Sequence, residues 1–382
     1  MGVLRWRGRL DERIAEHSSQ PLAKLDLEVL TALRLGAYQI LFLDRIPRHA
    51  AINESVELVK SARKRSAGGM VNAVLRKITR TTADLDVLSA HPRWLVERWT
   101  RIYGPDVARR ICEYDQATPK PAIRINDEQQ LEELRAERIQ LEPGKLLAKI
   151  FVVQAGDITA TKAFRERRLV IQDEGSQLIA LLGGHGEAIL DCCAAPGGKT
   201  RIIAERNPKS SILAMEIHPH RAALLRKLVP ALNVQIIAAD ARQMPVKKRF
   251  DRILVDAPCT GTGTLARNPE IKWRLQPADI LRLQAYQTKL LLAAMRQAVP
   301  GGRIIYSTCS LEPEENSEVV EKALAAEPSF RVVDAREELQ RLRTTGELEW
   351  DDIDSLLSGP YLRTIPGVHQ CDGFFAAILE RQ

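Results

Sequence analysis

The 382-residue chain reads as an α/β protein in which helical segments precede a parallel sheet with helices on both faces. Three observations predict this. Strand-like runs at 188–193, 212–217, 234–239, 252–256 and 303–307 alternate with helical stretches near 197–206, 219–229, 279–299 and 314–326, the order that builds parallel sheets. Residues 25–80 instead bring apolar side chains back every three or four positions, as amphipathic helices do. The length also exceeds a comfortable single core, which asks for two or three domains.

Composition narrows the function classes. A hydrophobic share of 45% with 27% charged residues is ordinary for a globular protein. No apolar run reaches the roughly 18 residues of a membrane-spanning helix, and the opening MGVLRWRGRLDERI has no signal-peptide core. A cytoplasmic protein with no membrane partner is expected. The six cysteines at 112, 192, 193, 259, 309 and 371 show neither Cys-x-x-Cys spacing nor paired histidines nearby. Free thiols in a reducing compartment are expected, with no metal site. The net charge of +7 is uneven: residues 1–120 hold 21 basic and 14 acidic side chains, and residues 121–382 hold 35 of each. Such a patch suits a polyanion-binding module or an ordinary solvated basic surface.

Taken in order, Leu27, Leu30, Leu33 and Leu35 lead into Tyr38, Ile40, Leu41 and Leu43, a helix that Ile46-Pro47 breaks. A second helix spans about 51–60 and closes on the basic run Lys60 to Arg65. Gly68-Gly69 opens a third, with Met70, Val71, Val74, Leu75 and Ile78 on one side. The segments LGAYQILFLDRIPRHAAINESVELVK and GGMVNAVLRKI resemble the later helices of the NusB-like RNA-binding domain that precedes the catalytic part of the Sun/RsmB family of ribosomal RNA cytosine methyltransferases. The resemblance implies an all-α NusB-like domain over 1–85. It also implies N-terminal shortening, since only about two dozen residues precede Leu25.

Residues 86–165 read as a linker and a small α+β subdomain. His91-Pro92 starts a helix with proline near its first turn, Ala122 to Asn126 and Lys149 to Val153 are short strands, and a helical stretch lies between them. Family members that resemble this chain carry an RNA-contacting subdomain here. From 166 to 382 the regular alternation sets in. Its last strand, Phe374 to Leu379, follows a long irregular segment, which leaves an antiparallel direction open.

The stretch DRILVDAPCTGTGTLARNP, residues 251–269, runs from a buried strand through Asp256, Pro258 and Cys259 into a glycine-threonine turn. A second strand ends fifty residues later in Ser307-Thr308-Cys309-Ser310. In parallel sheets, ligands bind beyond such carboxyl ends. The turn Asp191-Cys192-Cys193-Ala194-Ala195-Pro196-Gly197-Gly198-Lys199-Thr200 is neither GxGxxG nor a Walker loop. It offers small residues, two glycines for close backbone approach and a helix N-terminus that favours a carboxylate. Glu216, Asp240 and Asp256 follow at three successive strand ends. They suit the ribose, the adenine amine and the ammonium of S-adenosylmethionine, or else serve as helix caps and loop solubilisers. A nicotinamide cofactor is disfavoured by the missing glycine fingerprint.

A cysteine on an apolar strand is usually a small core residue, the reading given to Cys112, Cys192 and Cys371. Cys259 and Cys309 instead lie just past strand ends. A thiol beside a methyl donor suits carbon methylation of a pyrimidine: carbon 5 of cytosine is too weak a nucleophile until a thiolate adds at carbon 6. The motifs DCCAAPGGKT, DAPCTGTGTLARNPEIKW and YSTCSLEPEENSEVV, with the terminal DGFFAAILER, resemble those of the RNA 5-methylcytosine methyltransferases, nearest the Sun/RsmB branch. This implies a Rossmann-like methyltransferase domain over 166–382, with Cys309 as nucleophile and Cys259 as the thiol needed for release. Asp256 would serve the catalytic region. Cys193, Ala194, Ala195, Pro196, Gly197, Gly198, Lys199, Glu216, Asp240 and Asp256 would bind S-adenosylmethionine. Glu216 stands where Asp is more usual and Thr260 where Ser is common; both keep the oxygen. The implied partner is RNA, small-subunit ribosomal RNA before full ribosome assembly, and not DNA, whose cytosine methyltransferases use the cysteine of a Pro-Cys pair. Transfer RNA as substrate and a catalytically silent assembly factor are the alternatives. Arg267, Lys272 and Arg274 read as contacts to the RNA backbone or as a solvated loop.

Overall fold

The computed structural model describes residues 1–80 and 86–382. The domain end expected at residue 85 lies outside the described residues. The chain divides into two compact units, one of Met1–Thr118 with Leu265–Arg274, the other of Pro119–Thr264 with Leu275–Gln382.

In the first unit, the helices Arg7–Ala15, Leu27–Phe42, Arg48–Ser61 and Gly68–Lys77 pack around Leu10, Ile14, Leu33, Leu41, Val59 and Leu75. Gly36 permits a close helix approach: a Cβ there would lie 2.5 Å from Ser55 Oγ and 2.6 Å from Leu75 Cδ1. Residues ahead of Leu25 are thus part of the core, since Leu10 and Ile14 are fully buried. Two more helices follow, Arg93–Tyr103, preceded by Pro92, and Pro105–Gln116, started by Gly104 at φ 84°. The segment Leu265–Arg274 completes this unit, with Leu265, Ala266 and Lys272 almost wholly buried.

The second unit holds two sheets. The small one is antiparallel, in the order β1 (Ala122–Arg124), β3 (Ile150–Ala155), β2 (Gln140–Pro143). Asp127 caps the helix Glu128–Ala136 between β1 and β2 by accepting from the Gln130 N–H. The large sheet comprises β4 (Ala188–Asp191), β5 (Ser211–Glu216), β6 (Val234–Ala238), β7 (Phe250–Asp256), β8 (Ala298–Thr308), β9 (Phe330–Val333), β10 (Leu357–Ser358), β11 (Tyr361–Thr364) and β12 (Phe374–Arg381). Its order is β10-β11-β12-β8-β7-β4-β5-β6, with β9 also pairing β12. The five strands expected from alternation pair in parallel, and β12 runs antiparallel to β8.

Alternate side chains of the central strands feed two apolar layers, as strand geometry requires. Leu254 and Ile305 join Ile189, Leu178 and Leu339 on one face; Ile253, Val255, Ile304 and Tyr306 join Leu290, Leu291 and Val320 on the other. The helices Glu174–Leu182, Gly198–Arg206 and Ala335–Thr344 supply the first face, and Pro277–Met295 and Ser317–Ala326 the second. Three short strands, β9 to β11, occupy the segment that reads as irregular in the sequence.

Candidate active site

The neighbouring parallel strands β7 and β8 pair in register up to Asp256 opposite Ser307, so both chains leave the sheet at the same edge. They bring Cys259 and Cys309 together, Sγ to Sγ 3.4 Å apart, each partly exposed. The hydrogen bond with Cys309, burial and the nearby Glu315 push the Cys259 thiol well up from its ordinary range. The Gly263 N–H closes the turn on the Cys309 carbonyl at 2.9 Å. Glycine is required there, because a Cβ would lie 2.3 Å from the Gly373 carbonyl oxygen.

A carboxylate that sequence reasoning missed ties these two loops together. Glu315 is fully buried and accepts from the Thr260 N–H at 2.9 Å, from the Thr260 and Ser310 hydroxyls, and from Gln287 Nε2 at 2.9 Å. Thr260 adjoins one thiol and Ser310 the other. Gln287 also donates to the Pro258 carbonyl, and Asn316 donates to the Ser310 carbonyl, both at 2.9 Å. Burial raises the Glu315 carboxyl, against the hydrogen bonds from Ser310, Thr260 and Gln287. Its signal lay in the Glu312-Pro313-Glu314-Glu315-Asn316 run, where nothing local distinguishes the acid that turns inward.

Asp256 accepts from Lys199 Nζ at 2.8 Å and from the Ser307 hydroxyl at 2.9 Å. Burial alone would lower the Lys199 ammonium, but Asp256, with Cys309 and Asp191 close by, holds it above the ordinary lysine range. Lys199 is thus a cation beside the thiol pair, and it also lies 5.2 Å from the Phe374 ring centroid. Burial pushes Asp191 up to about 6, opposed by the Thr200 hydroxyl, which donates at 2.7 Å. Asp191 is a further site residue outside the set that the sequence suggested.

A cleft of about 190 Å³ opens between Val170–Gln172 and the turn Cys193–Lys199, with Asp191, Asp256 and Leu228 also on its walls. The turn fits a bound nucleoside with an amino-acid tail. Gly197 sits at φ 117°, where a Cβ would meet Leu225 Cδ1 at 2.6 Å, and a Cβ on Gly198 would fall 2.8 Å from Gln172 Oε1. The helix Gly198–Arg206 has no side-chain cap at its start, which leaves first-turn N–H groups for an anionic group.

All seven residues from Cys193 to Lys199, and Asp256, line this cleft; Glu216 and Asp240 do not. Glu216 is buried at the end of β5 and accepts from the His218 N–H at 2.9 Å. Asp240 is held by Arg242, whose hydrogen bonds keep the carboxyl below its ordinary range. Burial raises the Tyr286 hydroxyl, and Asp240 and Glu216 add to this. Cys112, Cys192 and Cys371 are buried. Lys272 fits neither of its two sequence readings: it is 1% exposed and donates to the Arg5 carbonyl within the first unit.

An open sheet with acids and a glycine turn at the carboxyl ends of its parallel strands is the architecture of a Rossmann-like methyltransferase. The family model for the 16S rRNA methyltransferase RsmB/F matches residues 178–380, the NusB family matches 1–80, and the RsmF/B-like ferredoxin-like domain matches 91–159. The chain belongs to the RsmB/F methyltransferase family, whose methyl donor is S-adenosylmethionine. It is similar to the probable ribosomal RNA small subunit methyltransferase B of Bacillus subtilis, with 34% identity over 86% of this chain and 79% of that one. It is 32% identical to the ribosomal RNA small subunit methyltransferase B of Vibrio cholerae over 100% of this chain and 88% of that one. The crystal structure of a methyltransferase homolog protein from Pyrococcus horikoshii superposes with a TM-score of 0.63 at 27% identity, covering 79% of this chain and 100% of that one.

Proposed function

We propose that this protein methylates carbon 5 of a cytosine in small-subunit ribosomal RNA, with Cys309 as the attacking thiol and Cys259 as the thiol of the release step. The observation that carries the reading is the thiol pair, 3.4 Å apart, beside the Lys199–Asp256 ion pair. S-adenosylmethionine supplies an electrophilic methyl group. Cys193 to Lys199 and Asp256 hold it in the cleft, with Glu216 and Asp240 at and just past the ends of β5 and β6.

The chemistry of this chain's own groups follows. Cys309 Sγ gives up its proton to solvent, and the thiolate is the attacking form. The thiolate adds at carbon 6 of the base, and the electron pair of the carbon 5–carbon 6 double bond becomes available at carbon 5 for the methyl group. Asp256, paired with Lys199, offers an acceptor to the exocyclic amine of the cytosine. After transfer, a base removes the carbon 5 proton, the double bond re-forms, and the Cys309 thiolate leaves. Cys259, in hydrogen-bond contact with that sulfur, serves this last step. The target base must leave any stack for a thiol to reach carbon 6, which favours an unpaired loop before ribosome assembly is complete. Residues 1–85 and 86–165 serve as RNA-binding modules, 166–382 is the catalytic domain, and the setting is cytoplasmic.

Transfer of labelled methyl groups to unmethylated ribosomal RNA, abolished in Cys309→Ala, tests this reading. Binding of RNA without transfer would instead assign a silent assembly factor, and methylation of transfer RNA alone would move the substrate.

A further inference from the structure

We propose that the cavity formed by Arg124, Asn126, Lys149 and Arg206, away from the thiols, binds a phosphodiester of the substrate RNA strand. The proposal rests on the RNA reading above.

The cavity lies within the second unit, where the edge strand β1 of the small sheet faces the helix Gly198–Arg206, and has a volume of about 550 Å³. Arg124 ends β1. Its Nη1 is buried and meets no hydrogen-bond partner, and no acid lies within ion-pair distance of it among the described residues. Burial lowers the affinity of its guanidinium for the proton, Arg206 adds to this, and Glu205 and Glu347 act against it. A guanidinium does not shed its proton at physiological pH, so an unpaired, half-buried one costs free energy that an anion would offset. The acids on the walls are already engaged: Glu347 pairs with Arg206, and Glu205 with Arg201 at 2.8 Å. Lys149 is exposed on the rim, at φ 63°, with no acid partner among the described residues.

Two observations favour a nucleic-acid phosphate over a free anion. First, the cavity continues through a narrow groove lined by Arg168, Arg201, Gln172 and Gly198 into the methyl-donor cleft. Second, the helix Gly198–Arg206 has nine residues, and a rise of about 1.5 Å per residue gives roughly 12 Å between its ends. That equals about three stacked nucleotides at ~3.4 Å each. A strand whose target base enters the thiol site would pass phosphates along this helix. Counting both cavities, five basic side chains face two acids. The fork of a guanidinium matches phosphate oxygens bidentately.

The test measures equilibrium binding of an unmethylated small-subunit rRNA fragment to the full-length protein by fluorescence anisotropy over a range of KCl. It compares wild type with Arg124→Ala, Arg124→Lys and Lys149→Ala, and steady-state KM values for RNA and methyl donor accompany it. Arg124→Ala is expected to weaken RNA binding about tenfold and to reduce the slope of log K against log salt by about 0.7, one single-strand phosphate. KM for the methyl donor should stay unchanged. Arg124→Lys should keep the slope while losing part of the affinity, and Lys149→Ala, on an exposed rim, gives the same direction without disturbing the fold. If wild type binds RNA and these variants bind it with unchanged affinity and slope, the proposal is overturned while the RNA reading stands. If wild type binds no RNA, the RNA reading itself fails. Titration with inorganic phosphate is the remaining arm: Arg124-dependent phosphate binding with unchanged RNA binding would assign a free-anion site and overturn the proposal.

Discussion

Replacing Glu315 by alanine removes one acceptor from four donors and leaves the two thiol-bearing loops without their common anchor. The Thr260 and Ser310 hydroxyls lie 3.0 Å apart and can bond to each other, and Gln287 keeps the Pro258 carbonyl. The Thr260 N–H has no such alternative. One orphaned buried donor costs about 1–3 kcal/mol, and the cavity left by one lost methylene and a carboxylate adds about 1–2 kcal/mol. A loss of about 2–5 kcal/mol in unfolding free energy follows. The catalytic effect should be larger than the stability effect implies, because a 1 Å misplacement of a reacting group lowers a rate by about 10²-fold. Single-turnover methyl transfer on RNA, with both substrates saturating, should therefore fall about 10²-fold while KM for the methyl donor holds. Glu315→Gln keeps one oxygen for the Thr260 N–H and for Gln287, and should recover most of the rate. Wild-type turnover and stability in Glu315→Ala would refute the anchoring role.

The two cysteines separate by the fate of the adduct: Cys259→Ala should accumulate a covalent protein–RNA complex that survives denaturant on a gel, whereas Cys309→Ala should form none. Treating the RNA-free enzyme with diamide, which accepts two electrons and two protons, should join Cys259 to Cys309; mass spectrometry would find the loss of two hydrogens, and a dithiol should restore activity. Lys199→Met removes the cation that pairs with Asp256 and should lower the single-turnover rate of methyl transfer; a wild-type rate would count against a role for Lys199 in the site. Burial pulls Lys272 down to about 8 from an ordinary lysine near 10.5. Above pH 8 the folded protein therefore binds fewer protons than the unfolded chain, so the penalty of the buried ammonium is full below that pH. It is relieved by about 3 kcal/mol between pH 8 and 10.5. Denaturant titrations of wild type against Lys272→Met should show this difference closing as pH rises.

The parallel strands were legible because a strand buried on both faces is a continuous apolar run, as in Ile253–Val255 and Ile304–Tyr306. The helix Glu174–Leu182 was not legible for the opposite reason. Eight of its nine residues are buried, so Leu178 to Leu182 show no amphipathic period. The helix Ala335–Thr344 is dominated by charge and buries only Ala335, Glu338, Leu339 and Leu342, and β9 and β11 have four residues each. Within the site, Cys259, Cys309 and the Cys193–Lys199 turn stand out by position at strand ends. Glu315 and the Lys199–Asp256 pairing do not, since both arise where separate loops meet. Lys272 lies between Ile271 and Trp273 in the chain, with nothing local to mark it as a buried cation, and it is buried within the first unit.

The return of the chain at Leu265–Arg274 into the first unit changes what counts as a removable module. A gene truncated to begin at residue 119 would still encode this decapeptide, now carrying Leu265, Ala266 and Lys272 without the helices that shelter them. The boundary seen at Thr118 is thus no clean cutting point. Loss or exchange of the helical unit during evolution would demand a simultaneous rewrite of ten residues that begin one position after the turn ending at Thr264, so the two parts are constrained to be inherited together.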